Sequence, residues 1–447
     1  MRPRRCNVPT CDDDVMTTPH PHPLPTAPPV PASPVPHAPP LGTYPVVPPR
    51  VGPVPTAQRA VAPDLARGLA LLGIAIANSV VHLSTGAIGL GFRPVDGSAL
   101  DRAVDGVVSL LVDHRTMPMF ALLYGYGIGV VVRRRAAGGV PWAACRTDLL
   151  RRAAVLLAVG AAHVVLLFEG DILGAYGLAG LLAVTLVRVP DRALLVTAAL
   201  VLPLTGLLNG LLGSVLVLDP SLGSADALAS TSTGSPLVAL GMRLLGGLAA
   251  APVGAFMALP LVLAGLWAAR RELLERPADH VRLLRRTAVV GLTVSVLGGA
   301  PFATAVARLR DPSVLDAFGS GTLHLVTGAA GGVAFAALVG WVVAARGTTP
   351  ATLGPVGRAL RAVGARSLTC YLLQSVLFVL PLAPWAGGLG AGLGTAQVVA
   401  WAVGVWLVTV VVAVRLEAAG RRGPAESLYR RLVYGRPTVG SAPAPAA

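Results

Sequence analysis

Ten apolar runs, most of them close to the twenty or so residues that cross a bilayer core, recur along the chain and leave few ways to fold it. They fall at about 64–83, 119–132, 149–168, 172–187, 193–215, 248–268, 287–307, 322–344, 368–383 and 396–414. Backbone polar groups in hydrocarbon have to be satisfied within the segment, so the chain reads as all-α, a polytopic helical bundle of about ten transmembrane helices. Composition agrees: 54% of residues are hydrophobic and only 13% charged, which excludes an ordinary soluble domain.

The net charge of +15 would suggest nucleic acid in a soluble protein. Here the positives cluster between the apolar runs, the pattern of loops that set topology, so no nucleic-acid partner is expected and the lipid bilayer is. Placing the Arg-rich connections in the cytoplasm leaves only Arg93, Arg102, Arg115, Arg243, Arg308 and Arg310 of the 36 basic residues outside. Both termini are then cytoplasmic, and the expected location is the plasma membrane of a bacterium, multi-pass.

Three regions follow. Residues 1–58, rich in Pro, Ala and Thr, read as a disordered cytoplasmic tail without the order of a signal peptide. Within it, Met16 opens "MTTPHPHP" as a possible true translation start, and Cys6, Cys11, His20 and His22 lack a core that could hold a metal. Residues 59–436 form the membrane domain and 437–447 a second disordered tail. Within the domain, Val104–Val112 has the amphipathic pattern of a surface helix, 216–242 reads as an irregular outer loop, and "RRELLERPADHVRLLRR" as an amphipathic inner helix split by Pro277. Pro203, Pro252, Pro260 and Pro301 interrupt the central spans.

The most informative stretch is Leu156–Leu182, "LLAVGAAHVVLLFEGDILGAYGLAGLL". Its acidic corner, Phe168 to Asp171, is too short for anything but a reversal between antiparallel helices. Polar groups are costly there, so His163, Glu169 and Asp171 near one membrane face mark a candidate site. Asp64 and Arg67, three apart in the first span, share a helix face and can pair. Gly125, Gly127 and Gly129 let a neighbouring helix or a ligand approach; close packing is the simpler account.

Five stretches, "DLARGLALLGIAIAN" (64–78), "MFALLYGYGIG" (119–129), "GAAHVVLLFEGDILGAYGLAGLL" (160–182), "VGARSLTCYLLQSV" (363–376) and "GPAESLYRRLVYG" (423–435), resemble the YeiB-like membrane proteins. In that family the C-terminal part, here about 245–436, is the domain of unknown function 418. The tail departs from the family pattern, with Ala425 and Tyr429 where a bulky aliphatic residue and Trp are expected. The family is in turn similar to the transmembrane acyltransferases, which share the opening Asp64, Arg67 and Gly68. The resemblance implies an acyltransferase-like bundle that takes an acyl group from a cytoplasmic acyl-CoA-type donor and passes it to a small-molecule or glycan acceptor in the envelope. Acyl-CoA is then a co-substrate, and no permanently bound cofactor or metal is expected.

Acyl transfer from a thioester needs a general base, a group to stabilise the oxyanion and cations for the donor's phosphates. His163 is the first choice as base, with Glu169 or Asp171 orienting it; His82 and His114 compete for the role. Asp64, Arg67, Arg151 and Arg152 are the donor-binding candidates, with Arg133 and Arg134 as topology-setting positives. Tyr371 and Gln374, three apart in the ninth run, either bond a neighbouring helix or line an acyl tunnel. The alternative function is a transporter or channel for a small or lipid-linked molecule, although no second copy of the Asp-x-x-Arg-Gly or Glu-Gly-Asp pattern is present to make two matching halves. A non-catalytic scaffold in envelope assembly is a third reading, under which the polar residues tolerate substitution.

Overall fold

The computed structural model describes residues 60–83, 87–219, 230 and 233–435. The two tails, with Met16, Cys6, Cys11, His20 and His22, and much of the 216–242 connection lie outside the described residues. Thirteen α-helices occur among the described residues: α1 Val61–Ser79, α2 Ala99–Leu111, α3 Thr116–Ala137, α4 Trp142–Leu166, α5 Ile172–Leu186, α6 Asp191–Leu218, α7 Pro236–Arg270, α8 Val281–Val306, α9 Val314–Ala345, α10 Pro355–Ala365, α11 Ser367–Leu382, α12 Thr395–Ala418 and α13 Pro424–Tyr434. No β-strand is present among them, only an isolated bridge between Ile88 and Pro94.

Eight segments are long and apolar enough to cross a membrane, and the bent pair α10–α11 makes a ninth if it counts as one span. The 15-residue α5 is apolar but shorter. Each of the ten apolar runs in the sequence corresponds to one helix, and the protein is an all-α multi-pass membrane bundle. The inward faces of α1, α3, α5 and α7 form the main apolar core, with Leu71, Leu123, Ala179 and Leu263 fully buried. Leu200, Leu204, Leu211, Val290 and Leu297 on α6 and α8 point outward, the apolar face that hydrocarbon covers.

Two connections and the proline-containing spans differ from the sequence reading. The outer connection is shorter, because Ser235 caps the N-terminus of α7 and the helix is already formed by Pro236. The "RRELLERPADHVRLLRR" segment forms no separate surface helix: turns and a single 3-10 turn, Pro277–His280, lead directly into α8. The helical prolines do not break their spans. α7 runs 35 residues through both Pro252 and Pro260, since neighbouring helices can satisfy the freed carbonyls. The Val104–Val112 stretch forms the C-terminal part of α2 and its C-cap, Val112; the capping box of α2 joins Ser98 and Asp101, and its outward face carries Leu100, Val107 and Leu111.

Glycine sets the two crossings that shape the interior. A Cβ at Gly68 would lie 2.2 Å from the Leu360 carbonyl oxygen, and one at Gly364 would lie 1.8 Å from that of Asp64, so α1 and α10 touch backbone to backbone. α3 meets α7 in the same way, with Gly125 against the Val262 carbonyl.

Candidate functional site

The α4–α5 hairpin closes tightly because Gly160 faces the Gly174 backbone and Gly177 faces that of Leu157. Asp171 is the N-cap of α5 and accepts a hydrogen bond from Gly174 N at 2.5 Å through Oδ2. Its other oxygen, Oδ1, lies 3.0 Å from His163 Nδ1. The two atoms lie within ion-pair distance but make no hydrogen bond to each other. On the far side of the ring, His163 Nε2 lies 2.8 Å from Ser375 Oγ on α11. A carboxylate facing Nδ1 favours the tautomer with its proton there, which makes Nε2 the acceptor and Ser375 the donor. In this almost fully buried site Nε2 is thus hydrogen-bonded, while Nδ1 faces the carboxylate at ion-pair distance.

His163 is nearer its helix end than the span lengths suggest, because α4 stops at Leu166. Glu169 does not orient it. Its carboxylate accepts from the backbone N and the hydroxyl of Ser230, at 3.0 and 2.5 Å, and anchors a connecting segment.

A cavity of about 360 Å³ opens at the Arg-rich end of the bundle and runs inward to Tyr371. Arg67, Arg152, Arg366, Arg422 and Arg430 line its mouth, and Phe120, Tyr124, Tyr176 and Tyr371 its walls. Arg67 bonds Asp64 Oδ1 at 3.1 Å and the Leu123 carbonyl, as the spacing of the Asp-x-x-Arg pair predicts. A Cβ at Gly127 would lie 3.6 Å from the Arg67 guanidinium, and the glycine lines the cavity. The three glycines of α3 therefore divide, Gly125 and Gly129 serving packing and Gly127 leaving space.

The mouth is framed by two further features. Arg366 stands at the 86° bend between α10 and α11, bonded to Glu417 and to the Ala362 and Arg421 carbonyls. Helix α13 is clasped across the opening: Glu426 accepts from the N–H groups of Leu368 and Thr369, and Tyr429 donates to the Arg152 carbonyl at 3.0 Å. Burial pushes the Tyr429 phenol up to about 12, which keeps it a neutral donor.

Tyr371 is the partition. Its ring lies 5.2 Å from that of His163, and its hydroxyl accepts one long hydrogen bond, 3.4 Å, from Ile172 N. Beyond it is a small void of about 10 Å³ lined by Asn78, His82, Phe168, Gln374, Ser375 and Phe378. His82 stacks on Phe378 there and tilts against Phe168. Gln374 donates weakly to the Leu71 carbonyl, so of the predicted polar pair Tyr371 lines the cavity and Gln374 bonds a neighbouring helix.

Besides Glu169, two of the sequence-predicted residues lie elsewhere. His114 packs edge-on against His324 in a separate cluster, where Arg115 bonds Ser295 and the Ser109 and Asp113 carbonyls and Arg93 pairs with Asp113. Arg151 is exposed and does not line the cavity. Arg133 pairs with Glu272 and Glu275, and Arg135 with Asp148, so these Arg residues lock connections.

Sequence reasoning missed Ser375, although it lies four residues after Tyr371 and so on the same helix face. It also missed Arg366, Arg422, Arg430 and Glu426 at the mouth, whose positions depend on the bend and on α13 folding back.

Residues 268–436, which contribute Ser375, Tyr371 and much of the cavity mouth, match the family described as protein of unknown function, DUF418. Over 155 residues the chain is 35% identical to the uncharacterized protein YeiB of Escherichia coli (strain K12), covering 34% of this chain and 37% of that protein. It is 26% identical over 152 residues to the uncharacterized protein YxaH of Bacillus subtilis (strain 168), covering 33% and 37%. Each match thus spans little more than a third of the relative's length. No solved structure gives a significant match. Residues 268–436 are thus similar to the DUF418 family, and about a third of the chain is similar to YeiB.

Proposed function

We propose that the protein is a membrane-embedded acyltransferase of the bacterial plasma membrane, moving an acyl group from a cytoplasmic acyl-CoA-type donor to a small-molecule or glycan acceptor on the other side. The observation that carries this reading is the abutment at Tyr371 of the Arg-lined cavity and the His163–Asp171 pair.

Each part of the chemistry has a counterpart. The guanidinium groups at the mouth suit phosphates, which they bind through forked hydrogen bonds. A volume of about 360 Å³ is at the small end of ligand pockets. It suits the slender thioester arm and leaves the nucleotide of the donor at the mouth. His163, held by Asp171 and shielded by Tyr371, is placed to remove a proton in a dry site, where general-base catalysis contributes about 10²–10⁴ in rate. Asn78 and Gln374 bring amide donors to the small void next to Ser375, where they can stabilise an oxyanion.

The test is binding and turnover of radiolabelled acetyl-CoA by the purified protein in nanodiscs. Wild type is expected to bind saturably and lose thioester, His163→Ala to bind without losing it, and Arg67→Ala and Arg422→Gln to bind more weakly. Binding should also weaken with rising salt, as phosphate–guanidinium contacts at a solvent-facing mouth are screened.

A transporter is the second reading, favoured by the 86° bend between α10 and α11, since broken helices frame many transport sites. Absence of binding and turnover with acetyl-CoA and longer acyl-CoAs, together with solute flux in proteoliposomes, would favour it over the enzyme.

A further inference from the structure

Ser375 and His163 lie 212 residues apart in the chain, on helices that the fold brings together at one buried point. The hydroxyl is 2.8 Å from Nε2, and the opposite ring nitrogen faces a buried carboxylate 3.0 Å away. A structural serine in a membrane helix usually bonds a carbonyl one turn back. That contact, to the Tyr371 carbonyl, is 3.4 Å here, much longer than the one to His163. Serine, imidazole and carboxylate in this order and at these separations form the arrangement that activates a hydroxyl as a nucleophile.

The surroundings agree with a relay. Ser375 lines the small void behind Tyr371, and Tyr371 lines both that void and the donor cavity, so one ring separates the nucleophile from the cavity end. The hydroxyl of that ring accepts a long hydrogen bond from Ile172 N and lies within reach of the Asp171 carboxylate. Turning it aside would join the two spaces.

We propose that Ser375 is the nucleophile of a Ser375–His163–Asp171 triad and carries the acyl group as a serine ester between the thioester donor and the final acceptor. The proposal rests on the acyltransferase reading. Ser375 Oγ attacks the thioester carbonyl carbon while His163 Nε2 takes the hydroxyl proton. The tetrahedral adduct collapses, the carbon–sulfur bond breaks, and the proton on Nε2 passes to the departing thiolate, leaving free thiol and acyl-Ser375. In the second half the acceptor hydroxyl gives its proton to Nε2 and attacks the ester carbon, and Ser375 Oγ leaves with that proton. Asp171 keeps its charge throughout and steadies the imidazolium. A covalent stop at the partition explains how an acyl group can leave a donor on one side and reach an acceptor on the other without both being bound together.

The experiment mixes the full chain in nanodiscs with radiolabelled acetyl-CoA, quenches in acid, and locates protein-bound label by peptide mass spectrometry. The expected result is label on the peptide containing Ser375, released by alkaline hydroxylamine. Ser375→Ala is expected to bind acetyl-CoA, carry no label and lose turnover by about 10²-fold or more. Ser375→Cys should take label as a thioester, which neutral hydroxylamine cleaves. Label on another residue of the wild type, or transfer by Ser375→Ala at near the wild-type rate, overturns the nucleophile while leaving an acyltransferase that works by direct attack. A wild type that neither binds nor cleaves acetyl-CoA or octanoyl-CoA overturns both.

Discussion

Two acidic residues of one corner have opposite fates, and the difference is a matter of single atoms. Asp171 divides its oxygens between the α5 N-terminus and His163, whereas Glu169 spends both on Ser230. Asp171→Asn keeps a cap for Gly174 N, since asparagine caps as well as aspartate. It loses the charge that sets the imidazole tautomer and steadies its protonated form. Turnover should fall by about 10²–10⁴ with donor affinity and thermal midpoint nearly unchanged. Glu169→Gln should leave turnover within about threefold, because its partner is a connecting segment; the pair of variants, compared for thioester loss, separates the roles. The corner's residue types were legible because polar groups inside apolar runs stand out. Which of the two carboxylates faces the histidine was not, because Ser230 lies 61 residues further along and Ser375 lies 212 away from His163. Contacts at such separations belong to the fold and leave no local pattern.

Helices were the most legible level, since each apolar run became one. What their sequence does not reveal is how closely they cross. The glycines of α3 read as packing or as space for a ligand, with packing the simpler account, and only a neighbour placed against each one separates the two. Gly125→Ala puts a methyl group 2.0 Å from the Val262 carbonyl oxygen, which only backbone movement can relieve. A loss of about 1–3 kcal/mol is expected, read as a lowered unfolding midpoint in detergent. Gly127→Ala meets only the Arg67 guanidinium at 3.6 Å and should leave that midpoint in place. Its methyl group narrows the cavity instead, so the effect should appear as several-fold weaker acetyl-CoA binding. Equal destabilisation by both would mean that Gly127 also serves packing. The bend at Arg366 escaped the sequence for a related reason: Arg366 precedes an apolar run and so looks like a topology anchor, while its bonds to Glu417 and to the Arg421 carbonyl form only once α12 and α13 have returned to it.

Which side of the membrane the cavity faces decides what it can bind. The cavity opens at the end of the bundle that holds Arg67, Arg152, Arg366, Arg422 and Arg430, and the positive bias of loops assigns that end to the cytoplasm, where acyl-CoA is found. The opposite end holds His82, Phe168 and the α4–α5 corner. If the bias fails here, the donor site faces the wrong compartment and the acyltransferase reading loses its substrate. Thr349 in the connection after α9 and Asp311 before it are both exposed, and they lie at opposite ends of that 32-residue helix. Single reporter cysteines, Thr349→Cys and Asp311→Cys, introduced after removing the native cysteines, can therefore be probed with a membrane-impermeant maleimide. Asp311→Cys should label in intact cells, and Thr349→Cys only after the membrane is opened. In inside-out vesicles the order should reverse. Labelling of Thr349→Cys in intact cells would place the Arg-lined mouth outside, exclude a cytoplasmic thioester as its ligand, and leave an external anionic solute as the chemistry that five clustered guanidinium groups suit.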